Sequence, residues 1–227
     1  MIEESLKNLH FFGREDEMTR LDEVLLPDQN HIQPADAVES TPGRRITLFG
    51  LPGVGKTELA AAYALSRAAK FDATFWVYAD TAKKLENDFT EIARRLDLGD
   101  REEFDPAAAG DQAKGWLSNP KKVVDPSSDL LVQADASWLL VLDNADDPSL
   151  LADYWPSLLT GSVLLTSRRP PELYTRDINM RPMHIEELLP LIVEDGAQLI
   201  RNWTDCHEEC HVDRSLQISR ILGGMPL

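Results

Sequence analysis

Apolar positions recur along this chain with two different periods, and the two alternate. Runs of consecutive aliphatic and aromatic residues occur in "RRITLFG", "FDATFWVYAD", "WLLVLDNADD" and "SVLLTSRRPP". A near-continuous apolar run of this length is what a strand covered by helices on both faces shows, so each reads as a buried parallel strand. "RPMHIEEL" is a weaker fifth. Between the runs the spacing changes to that of a helix. Met18, Leu21, Val24 and Leu25 share one face, as do Leu59, Ala60, Tyr63 and Ala64, and then Leu85, Phe89, Ile92, Ala93 and Leu96, with Thr81 placed to cap the last of these. "GDREEFDPAAAGDQAKGWLSN" reads as a loop and a short helix ending near Trp116 and Leu117, and "PKKVVDPSSDLLVQADAS" as an exposed insertion. Two further helices are expected around "LPLIVEDGAQLIRNW" and "DRSLQISRIL". Strands alternating with helices predict an α/β fold, a parallel sheet in three layers, with ligands at the carboxyl ends of its strands.

Composition narrows the function. The chain has 227 residues, 43% hydrophobic and 27% charged, and its 23 basic and 39 acidic residues leave a net charge of −16. That charge argues against a nucleic-acid or anionic-membrane partner, either of which needs a basic footprint. No apolar run reaches the roughly 18 residues of a membrane span. The N-terminus has neither a signal-peptide core nor the look of a transit peptide, and two cysteines are too few for a disulfide framework. A cytoplasmic protein is expected.

The chemistry begins where the first strand ends. Gly50-Leu51-Pro52-Gly53-Val54-Gly55-Lys56-Thr57 matches G-x-x-x-x-G-K-[ST] in full, with a strand before it and an alanine-rich helix after it. Glycines let backbone N–H groups turn inward around a phosphate, and the helix N-terminus adds unpaired donors and positive potential. A lysine at a helix N-terminus opposes the macrodipole, and an anionic ligand there removes the conflict. Lys56 is expected to reach the β- and γ-phosphates, and Thr57 to place its hydroxyl on Mg²⁺. Such a loop requires an apolar strand ending in an aspartate to order the magnesium shell; Trp138 to Leu142 followed by Asp143 supplies it. Asn144 stands beside it, able to orient a water but not to take its proton. Asp146 and Asp147 are candidates for that base, although loop acids that cap the next helix have the same appearance. Arg168, after Val163 to Ser167, is the candidate sensor of a terminal phosphate, ahead of Arg169. Cys206-His207-Glu208-Glu209-Cys210-His211 has zinc-ligand residue types. On one helix, however, the Cys and His pairs face directions about 100° apart, so no metal site is expected there. The five tryptophans, Trp76, Trp116, Trp138, Trp155 and Trp203, are expected to pack rather than carry a nucleotide.

These motifs, in this order, resemble the nucleotide-binding part of an NB-ARC protein, within the STAND class of signalling P-loop NTPases that includes NLR-type receptors of innate immunity. "Phe11-Phe12-Gly13-Arg14-Glu15" resembles the element preceding the P-loop, "LLVLDNADD" the Walker B strand, "SVLLTSR" the sensor strand, and "Gly224-Met225-Pro226-Leu227" the GLPL motif of the following helical domain. The resemblance covers nearly the whole chain. It implies a three-layer P-loop NTPase with a five-stranded parallel sheet in the order 5-1-4-3-2, followed by the start of a helical domain. The expected divisions are a lead-in at 1–26, a linker or insertion at 27–43, the nucleotide-binding core at 44–185 and the helical start at 186–227. It implies ATP or ADP as ligand, with Mg²⁺ accompanying ATP on Thr57 and Asp143. Phe12 and Arg14 are then expected beside the adenine, Gly50 and Pro52 in the loop, Gly53, Val54, Gly55, Lys56, Thr57 and Glu58 on the phosphates, Arg168 facing the γ-phosphate, and Pro226 closing over the base or ribose.

Two departures stand out. Asn144 replaces a second acid found in many plant members, and the stretch from Pro120 to Ser137 is longer than usual. Because the chain ends inside the GMPL motif, it is expected to be an excised piece, monomeric by itself, of a protein that oligomerises on activation. The function implied is an ATP/ADP-controlled switch with slow or no turnover. Its rivals are a multiple-turnover ATPase and a small-molecule phosphotransferase on the same scaffold.

Overall fold

The computed structural model describes residues 6, 8, 11–27, 44–98, 106–123, 133–156, 161–169, 184–205 and 211–226. The expected linker at 27–43 therefore lies outside the described residues apart from Pro27, as do Leu227 and the Cys206–Cys210 part of the metal candidate.

Five strands form one parallel sheet: β1 (Arg45–Phe49), β2 (Ala73–Tyr78), β5 (Trp138–Asp143), β6 (Ser162–Ser167) and β7 (His184–Glu187). The order across the sheet is β2-β5-β6-β1-β7. Counted along the chain as first to fifth, that is 5-1-4-3-2, the order expected. All four pairings are parallel; Leu140 lies opposite Phe75 on one side and Val163 on the other, and Ile46 lies opposite Leu164. The fold is an α/β P-loop NTPase-like fold.

Strand alternation assigns the two faces. Leu140, Leu142, Val163, Leu165, Phe75 and Val77 point to one side, where they meet Leu85, Phe89, Ile92 and Ala93 of α3 (Ala82–Arg95) and Ala109, Ala113 and Leu117 of α4 (Pro106–Ser118). Leu139, Val141, Leu164, Ile46 and Leu48 point to the other, against Leu21 and Leu25 of α1 (Glu15–Leu25) and Leu59, Ala60, Tyr63 and Ala64 of α2 (Lys56–Ser66). Every residue of β5 and β6 is buried. Thr81 caps α3 as expected, accepting from the Lys84 N–H.

The lead-in is part of this core. The Ser162 hydroxyl donates to the Leu25 carbonyl at 2.6 Å, and the Arg67 guanidinium pairs with Asp22 through two bonds of 2.8 Å. In two places the structure goes beyond the sequence reading. The helix before Trp116 begins at Pro106 and is longer than the short element expected. The ends of the insertion pair as a small antiparallel ribbon, β3 (Lys121–Val123) with β4 (Gln133–Asp135). Lys122 holds that ribbon to Asp72, the residue before β2, at 2.7 Å.

After β7 the chain crosses to α6 (Val193–Thr204) and α7 (Val212–Leu222). They approach so closely that a Cβ on Gly196 would come within 2.3 Å of the Ser219 hydroxyl oxygen. Gly224 then folds the chain back: its carbonyl accepts from the Leu191 N–H at 2.9 Å, its φ is 72°, and a Cβ there would fall 1.9 Å from the Leu191 carbonyl oxygen. Only glycine fits this turn.

Candidate nucleotide site

The carboxyl ends of the strands open into a cleft of about 900 Å³. Its floor is the turn between β1 and α2. Gly55 caps α2 with φ 96°, a conformation that glycine adopts without strain, so the helix presents its N-terminus to the cleft. Lys56 opens α2, and its ammonium reaches back across the turn to donate to the carbonyls of Gly50 and Leu51 at 2.9 and 2.8 Å. Burial holds that ammonium below its ordinary pKa; Asp146 and Asp143 act to raise it and Arg168 to lower it. Four charged groups therefore act on one another at this end of the sheet.

The acid at the end of β5 is buried and fully engaged. Asp143 Oδ1 accepts from the Thr57 hydroxyl at 2.8 Å and from the Thr166 hydroxyl at 2.6 Å, while Oδ2 accepts from the Asn144 side-chain amide at 3.2 Å. Burial pushes its carboxyl above the usual range, against the pull of these hydrogen bonds. The Thr57–Asp143 contact joins the two residues expected to share Mg²⁺, one a neutral oxygen donor and the other an anionic one, and this donor set fits a hard cation. Thr166 is a site residue that the sequence reading missed. It accepts from the Asn144 N–H at 2.9 Å while donating to Asp143, and so fixes the carboxylate. A threonine directly after Val163, Leu164 and Leu165, at the carboxyl end of a buried strand, was its only signal.

The remaining acids have other partners. Asp146 pairs with Arg168: Oδ2 accepts from Nε at 2.5 Å, and Oδ1 from the Arg168 N–H at 2.7 Å and the Ser167 hydroxyl at 3.1 Å. Burial opposes its ionisation, but these bonds outweigh it and hold the carboxyl below the usual range. Asp147 caps the short helix α5 (Pro148–Leu151), accepting from the Ser149 N–H at 3.0 Å and its hydroxyl at 2.7 Å, and it does not line the cleft. Asn144, with φ 58°, does line it, with its amide turned to Asp143.

Most of the other expected residues also line the cleft: Phe12, Arg14, Pro52, Gly53, Val54, Gly55, Thr57, Glu58, Arg168 and Pro226. Arg14 also ties three segments together. Its guanidinium donates to the Val54 carbonyl at 3.2 Å, the Leu189 carbonyl at 2.8 Å and Glu17 at 2.9 Å, joining the lead-in, the P-loop and the crossover to α6. Pro226 lies over the loop, its Cγ 3.4 Å from where a Cβ on Gly55 would be. Asn8, Asp80, Leu191, Leu199 and Trp203 line the cleft as well. Trp203 departs from the packing role expected of it: it is 61% exposed near the C-terminal end of α6, whose buried residues are Gly196 and Ala197. Asp80, just past β2, could have been found from the rule that ligands bind at strand ends.

No family model matches the chain, and no curated protein matches it. Among solved structures it is similar to the crystal structure of Cdc6p from Pyrobaculum aerophilum, with a TM-score of 0.57 at 17% identity, over 90% of this chain and 54% of that one. The chain thus spans about half the length of that neighbour, and the likeness is one of fold. Among the described residues no helix is long and apolar enough to cross a membrane.

Proposed function

We propose that this chain is an ATP/ADP-binding switch module of the NB-ARC type, within the STAND class. The observation that carries the reading is the Lys56–Thr57–Asp143 arrangement at the carboxyl end of the sheet with Pro226 seated above Gly55. A catalytic P-loop needs the first part; only a nucleotide read from two sides needs the second. In this reading the α2 N-terminus and Lys56 hold the phosphates, Thr57 and Asp143 hold Mg²⁺ when ATP is bound, and Arg168 meets the terminal phosphate. Phe12 and Pro226 border the base. The metal supplies charge neutralisation along the phosphates.

The same geometry speaks for a switch over a fast ATPase. General-base catalysis requires an acid within reach of water, and contributes roughly 10²–10⁴-fold. Asn144 has no such acid, Asp146 is anchored to the end of β6 by the Arg168 N–H and the Ser167 hydroxyl, and Asp147 caps α5. Turnover is therefore expected below about 1 s⁻¹, the low end of typical enzymes. A complete switch takes about 5.5 kcal/mol of differential binding to move from 1:99 to 99:1. A charged contact to Arg168 supplies roughly 1.5–3 kcal/mol of it, and the rest is assigned to other domains of the intact protein.

Two measurements test the reading. Nucleotide released from the denatured protein should be ADP or ATP, and steady-state hydrolysis should be slow. Release of no adenine nucleotide together with no binding of added ADP would overturn the reading, and turnover well above 1 s⁻¹ would replace the switch with an active ATPase.

A further inference from the structure

We infer that Asp146 sets this site's preference between nucleoside di- and triphosphates, by competing with a terminal phosphate for Arg168. The inference rests on the nucleotide-binding reading above and adds to it a residue that reads the phosphate count.

The two oxygens of Asp146 have separate duties. Oδ1 is tied to the end of β6 by the Arg168 N–H at 2.7 Å and the Ser167 hydroxyl at 3.1 Å. Those bonds make the carboxylate a fixed post, and its side chain is only 17% exposed. Oδ2 has no part in that anchoring and meets the guanidinium through Nε and Nη2, each at 2.5 Å. The arginine is the opposite kind of partner. Its side chain is 59% exposed and it lines the cleft, on whose floor Lys56 lies. Arg168 and Lys56 line the same cleft, so the arginine faces the space in which Lys56 would hold a phosphate.

A long, exposed arginine on a fixed anchor can exchange partners. An ion pair this exposed shifts an equilibrium by about fivefold at most, so the carboxylate holds Arg168 without locking it. A terminal phosphate offers more charge than a carboxylate and accepts the guanidinium in the same forked geometry. With a diphosphate the arginine stays on Asp146; with a triphosphate it divides between the two acceptors. Asp146 therefore lowers the affinity for triphosphate relative to diphosphate. As a positioning residue it touches neither the base nor the metal ligands.

Asparagine isolates this duty. In Asp146→Asn the side-chain oxygen can still accept from the Arg168 N–H and the Ser167 hydroxyl, while the atom facing the guanidinium becomes an uncharged donor. ADP and a non-hydrolysable ATP analogue should be titrated, by calorimetry, into the wild type, Asp146→Asn, Arg168→Ala and the double variant of the full chain. Asp146→Asn is expected to raise the triphosphate-to-diphosphate affinity ratio about threefold to fivefold, the scale of one exposed ion pair. The rise should vanish in the Arg168→Ala background, where a general gain from removing negative charge would persist. A ratio unchanged in Asp146→Asn while both nucleotides bind, or an equal rise with Arg168 removed, overturns the inference and leaves the nucleotide reading standing. Should Asp146→Asn not fold, Asp146→Ser takes its place in the same titrations, alone and with Arg168→Ala: the ratio must rise in the first and not in the second, and an unchanged ratio refutes the proposal. Failure of the wild type to bind either nucleotide would remove the nucleotide reading and this inference together.

Discussion

The sheet and the helical pair that follows it build opposite sides of one cleft by different means. β5 and β6 are buried along their whole length, and their side chains fix register and orientation by packing on both faces. The α6–α7 pair leaves Ile192, Trp203, Ile218 and Ile221 exposed, at 63, 61, 44 and 83%. It is positioned instead by a few specific ties: Arg14 to Leu189, Leu191 to Gly224, and Pro226 over Gly55. The P-loop, Thr57 and Asp143 stand on the packed side, and the groups proposed to cover a nucleotide stand on the tied side. A site whose two halves are held so unequally can change the position of one half at little cost to the other, and a nucleotide switch requires that property.

The sharpest way to break this contrast is to truncate an aliphatic residue on each side. Leu165→Ala, in the middle of β6, should cost about 2–5 kcal/mol through lost burial and the cavity it leaves. Ile221→Ala should stay within about 0.5 kcal/mol, as an exposed position does. Urea denaturation midpoints measure both, and comparable losses would refute the contrast.

A smaller effect tests the ties. Arg14→Ala removes a mostly buried guanidinium from two carbonyls, and a hydrogen bond to a charged group contributes about 1.5–3 kcal/mol. The loss should appear as weaker ADP binding and as faster proteolysis after Leu189, with the Leu165 region still protected from amide exchange. Protection lost everywhere at once would make Arg14 a core residue rather than a tie.

Smallest is a pH effect confined to the packed side. The Arg94 and Arg95 guanidinium groups hold the Glu91 carboxyl at about 2, well below its ordinary value of 4.5. A depressed carboxylate contributes stability that is complete above its unfolded value and is lost as pH falls toward its folded one. Stability should therefore decline between about pH 4.5 and pH 2, and Glu91→Gln should flatten that limb by lowering stability slightly at pH 7 while leaving it unchanged near pH 2. The pair is surface-exposed, so salt should shrink the difference.

The same contrast explains what could be read from the sequence. The packed side was legible because each of its constraints is local. An aliphatic run ending in Asp143, and three glycines before Lys56 and Thr57, carry their own geometry. So did the strand order, through the succession of motifs and the family resemblance they support. The tied side depends on contacts between residues far apart in the chain. Nothing around Arg14 indicates that its guanidinium meets carbonyls at Val54 and Leu189. An exposed Trp203 looks like a packing tryptophan until the cleft beside it is seen. α4 was underestimated for another reason: Ala109, Ala113 and Leu117 have helical spacing and are buried, but alanines and two nearby glycines give a weak apolar signal. Asp146 illustrates the limit of motif reading. An acid after a Walker-type strand can be a base, a cap or an anchor, and only its bonds to Arg168 and Ser167 distinguish these.

The central claim is that Lys56 and the turn around it bind the phosphates of an adenine nucleotide. Thermal unfolding of wild type and Lys56→Ala, with and without ADP, tests it most directly. A ligand at about 100 times its Kd stabilises the native state by roughly 2.7 kcal/mol, so the wild type should melt several degrees higher with ADP. In Lys56→Ala that rise should be lost, because a polyphosphate in the cleft would lack its buried cationic partner. Equal rises in the two proteins, or none in the wild type, would contradict the account.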